Sequence, residues 1–257
     1  MKNYLTSILL TAAASCLGQS SNITQLSPFG VSGNLSSTLP FLSPNTSAPS
    51  IRYQQVYASS DFIPLCGPVS CMTGVSPFLI SDITFREAFG STAGIDVNLA
   101  NVQIDLSTSS KSPDGLTSNF AANIGTDDSV VFSGPLHFYE TDGLKITLQK
   151  PFLYDPRRGN LLLDVRNFVT TGPPPFGFWG LQFESQVGDT VSSVSALNVN
   201  SDTATSTSTA GLITRFDGVA VPEPGPAVLF GLGMLGCGII AFGRRRSAGR
   251  ARSLAQK

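Results

Sequence analysis

The stretch LHFYETDGLKITLQ, Leu136 to Gln149, decides the fold class. Leu144, Ile146 and Leu148 alternate with Lys145, Thr147 and Gln149. That is the period of a strand with one face in a core and the other in water. Asp142-Gly143 separates this run from the apolar residues at 136–139, with Phe132 upstream. Such a pair is a tight-turn signal, so the sequence predicts a hairpin here.

The same pattern extends outward in both directions. Val97 and Leu99 alternate, as do Val102, Ile104 and Leu106, with a phase slip between the two sets that predicts a bulge near Ala100-Asn101. Further strands fit Arg52 to Tyr57, Ile83 to Phe89, Leu161 to Phe168, Leu181 to Val187, Val191 to Val199 and Gly211 to Phe216. No long stretch has helical periodicity, and Pro or Gly interrupts the chain often. Many short strands at this spacing imply an all-β domain, an antiparallel sandwich of jelly-roll type, over residues 51–217. Residues 20–50 are rich in Ser, Asn, Thr and Pro and read as a flexible lead-in.

Both termini read as targeting segments, which are set aside before the fold is considered. At the N-terminus, Lys2 precedes the uncharged run Leu5 to Ala14 and a group of small residues. The run is too short to span a bilayer, which needs about 20 apolar residues, so residues 1–19 are expected to be an export signal. Cys16 stands in AASC, a loose likeness of a lipidation site that lacks the usual leucine; loss of this cysteine with the signal is preferred. At the C-terminus, residues 218–257 hold the motif Val221-Pro222-Glu223-Pro224, then 18 uncharged residues from 226 to 243. Arg244, Arg245 and Arg246 follow at once and open a basic end over 244–257. The uncharged run sits at the lower limit of a transmembrane helix, and Cys237 fits it as a small, lipid-compatible residue. The arginines orient the span with the C-terminus cytoplasmic and the body outside.

Motif, marginal span and arginine cluster, in that order, resemble the PEP-CTERM sorting signal. The resemblance implies an exported protein held in the inner membrane as a precursor and processed by an exosortase, a cysteine-dependent transpeptidase. Val221 to Pro224 would be the recognition element. The mature form would then reach the cell surface, outer envelope or extracellular matrix, as in biofilm. The blocks RYQQVY (52–57), ITFREAFG (83–90) and PFLYDPRRGNLLLDVRNF (151–168) resemble an uncharacterised β-sandwich domain of such anchored proteins. That likeness implies a fold and a surface location and brings no catalytic residues.

Charge excludes one class of function. Between residues 20 and 222 there are nine Lys/Arg against sixteen Asp/Glu, a net charge of −7. An acidic body without a basic stripe has nothing to follow a phosphate backbone, so no nucleic-acid partner is expected.

The remaining constellations are weighed against simpler readings. Cys66 and Cys71, in CGPVSC, are expected to form a disulfide in an oxidising compartment. Zinc would need four ligands, and none completes the pair. His137, the sole histidine, lacks any nucleophile signature nearby and reads as a strand residue. Asp155, Asp164 and Glu184 are conceivable members of a glycosidase carboxylate pair. Asp155-Pro156 reads more simply as a turn, and Asp164 as an outward strand residue. Calcium is considered at Asp127-Asp128 and at Glu140-Thr141-Asp142, but neither has EF-hand spacing and turn chemistry accounts for both. No metal or cofactor is therefore expected.

Phe176, Phe178 and Trp179 lie in the proline-rich GPPPFGFWG and are candidates for stacking on sugar rings; the simpler role is to cap the sandwich. The expected function is a non-enzymatic structural or adhesive surface protein that contacts exopolysaccharide. A surface glycan hydrolase using a carboxylate pair is the alternative.

Overall fold

In a computed structural model, residues 22–28, 35–41, 50–62, 77–86, 96–139, 143–168, 181–184 and 189–221 are described. Thirteen strands follow in chain order: β1 (Asn22–Ser27), β2 (Leu35–Ser37), β3 (Ile51–Tyr57), β4 (Phe78–Phe85), β5 (Asp96–Ser109), β6 (Ser129–Tyr139) and β7 (Leu144–Tyr154). They continue with β8 (Asn160–Asn167), β9 (Leu181–Glu184), β10 (Val191–Ala196), β11 (Ser206–Ser208), β12 (Gly211–Leu212) and β13 (Thr214–Ala220). Among the described residues the helical pieces are two 3₁₀ turns, Ser59–Phe62 and Phe120–Asn123. The fold of the described residues is all-β.

A four-stranded sheet has the order β1-β13-β4-β7 and a six-stranded sheet β11-β10-β3-β8-β5-β6. A smaller sheet joins β12, β9 and β2. Every pairing between these strands is antiparallel. The inward residues form one core: Ile83, Phe85 and Phe216 from the four-stranded sheet meet Tyr53, Ile104, Leu163 and Val165 from the six-stranded one. This is an antiparallel β-sandwich, held by apolar burial between two facing sheets. Rings cross the core edge to face, as Tyr57 does with Phe216 at 5.0 Å between centroids. Gln55 also points inward, and it is satisfied by acting as a strand partner. Its amide donates to the Leu212 carbonyl at 2.8 Å and its oxygen accepts from the Leu212 N–H at 2.7 Å. Gln55 thereby ties β12 to the large sheet.

Much of the sequence reading holds at this level. Leu144, Ile146 and Leu148 are buried and Lys145, Thr147 and Gln149 exposed, as their alternation requires. The β5–β6 register shifts between Leu99 and Val102, where the phase slip predicts a bulge.

Two expectations are corrected. First, β6 and β7 do not form a hairpin: β6 pairs with β5, and β7 pairs with β4 in the opposite sheet. A two-residue turn would lock its flanking strands into register. Four residues separate Tyr139 from Leu144, enough for the chain to change sheets. Across β6 and β7, Gln149 is bonded to the Ser133 backbone and Lys150 to the Ser129 hydroxyl. Second, the lead-in over 20–50 contributes two strands. β1 pairs with β13 along its whole length, Asn22 opposite Val219 through Ser27 opposite Thr214. An edge strand needs only one buried side, so the polar residues of NITQLS are compatible with pairing. The compact unit accordingly runs from residue 21 to 221 rather than from 51.

Candidate functional site

The outer face of the six-stranded sheet carries an unusual set of residues. Arg52 and Gln54 of β3, Asp164 of β8 and Asp105 of β5 point away from the core, yet none is more than 8% exposed. Their cover is the segment between β5 and β6. It folds back as the Phe120–Asn123 turn, whose first amides, Ala121 and Ala122, are capped by the Asn119 side chain. Asn123 holds the turn's shape, accepting from the Thr117 amide at 2.9 Å and donating to the Gln54 side chain at 3.0 Å. The Phe120 N–H also donates to the Asp202 carbonyl, stitching the cover to the loop after β10. Beneath it, Phe120, Val194 and Ala196 form a small apolar cluster of their own.

The polar groups under this cover bond mainly to one another, while the buried Arg166 Nε has no hydrogen-bond partner. Arg52 Nη2 lies 2.8 Å from Asp164 Oδ2, and the guanidinium sits 4.5 Å from the centre of the Phe120 ring. Gln54 donates to the same Asp164 oxygen at 2.8 Å and to the Phe120 carbonyl at 3.2 Å. Arg166 stands 3.8 Å from Asp164. Asp105 is the register partner of Asp164 across β5 and β8 and accepts from Gln103 at 2.9 and 3.1 Å. Burial pushes the Asp105 carboxyl above the ordinary aspartate value, against the pull of Gln103 and Arg166, and the Asp164 charge adds to the rise. At the rim, burial also raises Asp128, and the charges of Asp105 and Asp164 push the same way.

Two facing carboxyls, one paired with a cation and one favouring its proton, are a pattern that acid–base chemistry uses. Here the cover lies over them. The described groove nearby is half-open, about 220 Å³, and lined by Asp114, Leu116 and residues 192–194 and 207–209. It is a hydroxyl-lined depression beside the cluster, and neither Asp105 nor Asp164 lines it.

The sequence-derived candidates fare unevenly. Asp164 does leave the core face as expected, but it is buried rather than solvated. Asp155 sits in the turn after β7, where Arg157 binds it through Nε at 2.8 Å and Nη2 at 3.0 Å. Those hydrogen bonds hold its carboxyl below the ordinary value. The Glu184 side chain, Cys66, Cys71, Phe176, Phe178, Trp179, the 140–142 turn and Pro222 onward lie outside the described residues. His137 is exposed on β6 opposite Asn98. Asp127 accepts from the Thr108 amide of β5 at 2.7 Å. Among the described residues, no three His, Cys, Asp or Glu side chains converge as a metal ligand set. Asp105 and Arg52, the partners that give Asp164 its environment, were absent from the sequence-derived candidates. Their local signal, a polar residue alternating with apolar ones, is that of a solvated face.

Fold and site together define an antiparallel β-sandwich with a covered ionic cluster on one outer face. Compared with known proteins, the chain matches no family model and no curated sequence.

Proposed function

We propose that the protein is an exported surface or extracellular-matrix protein of structural or adhesive type, delivered by a PEP-CTERM-like tail. The observation that carries this reading is the order of motif, uncharged run and arginine cluster over residues 221–246. Val221, the first residue of that motif, donates its N–H to the Pro77 carbonyl. In this reading residues 1–19 direct export, 226–243 span the inner membrane as a helix, and an exosortase-type transpeptidase acts at Val221 to Pro224. Contact with exopolysaccharide is assigned to the aromatic stretch with Phe176, Phe178 and Trp179, and no metal or cofactor takes part.

A glycan hydrolase is the second reading, favoured by the facing pair Asp105 and Asp164. It weighs less because a sugar would have to displace the 116–123 cover before reaching either carboxyl.

Mass spectrometry of the mature protein from membrane, envelope and medium fractions tests the sorting claim. Surface and medium forms should lack the residues after the motif. A final surface form ending at Lys257 would overturn processing. Trp179→Ala should abolish retention on exopolysaccharide, and unchanged retention would remove the adhesive assignment.

A further inference from the structure

The outer face of the four-stranded sheet changes chemistry along its strands. Toward one end, Lys145, Thr84 and Arg215 stand side by side by register. The next row is wholly polar: Thr147, Asp82, Asp217 and Thr24 are register partners. Thr147 donates to Asp82 at 2.8 Å and Thr24 to Asp217 at 2.7 Å. At the other end three aliphatic residues stand in register, with the exposed Asn22 of β1 completing the row. Leu153 pairs with Leu79, and Leu79 with Val219. Leu153 is 54% exposed, and Val221, two residues beyond Val219 and on the same side, is 36% exposed. The turn leaving β7 at this end presents Arg157 and Arg158 to solvent, Arg157 being paired with Asp155.

This is also where the chain leaves the sandwich. Only residues 222–225 separate Val221 from the uncharged run, a reach of at most about 18 Å. That length keeps the exit end beside the headgroups of whatever bilayer holds the run. We propose that this end of the sandwich rests on an anionic phospholipid bilayer. The Leu153, Leu79, Val219 and Val221 patch meets the acyl boundary, and Arg158 meets the headgroup phosphates. Aliphatic burial and basic side chains are the two contributions such a contact needs. In a body of net charge −7, the Asp155, Arg157 and Arg158 turn carries one net positive charge at the tether point, and Arg158 is the group able to offset repulsion from the lipid surface. The inference rests on residues 226–243 being a membrane span.

The full chain reconstituted in nanodiscs tests it, with phosphatidylglycerol carrying a diazirine high on one acyl chain. After photolysis, labelled peptides should come from 226–243 and also from the segments holding Leu153 and Val219 to Val221. The variant Leu153→Glu/Arg158→Glu should lower labelling of the sandwich by about fivefold or more while leaving the tail unchanged. Labelling of the tail with none on the sandwich overturns the bilayer contact alone, including where a second copy or a polysaccharide covers the row. No labelling of 226–243 overturns the span and, with it, this inference.

Discussion

Arg52 and Asp164 form a salt bridge of 2.8 Å on the outer side of a sheet, yet they are 8% and 2% exposed. Taking both charges out of water costs several kcal/mol per ion, and their attraction offsets this only while both are present. Arg52→Met should therefore cost about 3 kcal/mol of unfolding free energy, the low end for a broken buried pair, because Asp164 keeps only Gln54 and the more distant Arg166. The double variant Arg52→Met/Asp164→Leu should recover most of that loss. Urea unfolding of the two single variants and the double variant measures it. Additive losses would mean that the pair is not coupled.

Asp105 should make stability depend on pH. Its carboxyl is raised above 3.8, first by burial. With the folded value above the unfolded one, the folded state holds the proton more tightly. The favourable contribution is thus complete below 3.8 and is lost as pH rises through the folded value. Asp105→Asn cannot titrate and should melt about 2–4 °C higher than wild type near pH 7.5. The gap should narrow as pH falls toward 3.8. A gap of constant size across that range would show that Asp105 is not the titrating group.

The fold class was legible because strand alternation is local, and β7 displays it without interruption from Leu144 to Leu148. Sheet membership was not, since the corner between β6 and β7 depends on β5 and β4 as competing partners from distant sequence. Ser81 hides part of β4: the register with both neighbours shifts between Ile80 and Asp82, so the alternation seen from Ile83 onward does not reveal the start at Phe78. The candidate site shows the same limit more sharply. Asp164 has the phase of an outward residue, and it is outward. Its burial comes from Phe120 and Asn123, more than forty residues earlier, and nothing in LLLDVR announces them.

Gly218 links the polar and aliphatic rows of the four-stranded sheet, and its lack of a side chain is what lets them adjoin. It is buried on β13 at the shift between Asp217 and Gly218. A Cβ there would collide with the Leu79 carbonyl oxygen and carbon, and the Ile80 Cα would be 3.0 Å away. Backbone atoms of a central strand cannot swing aside as a flexible side chain could, so the strands must separate. Gly218→Ala should cost about 1–3 kcal/mol by urea unfolding, the usual range for forced overpacking. Amide exchange should accelerate at Leu79 and Val219 before it does in β3 or β8, because the damage begins in the four-stranded sheet. A cost below about 0.5 kcal/mol, within the range of ordinary surface substitutions, would mean that β4 and β13 adjust their bulge without strain.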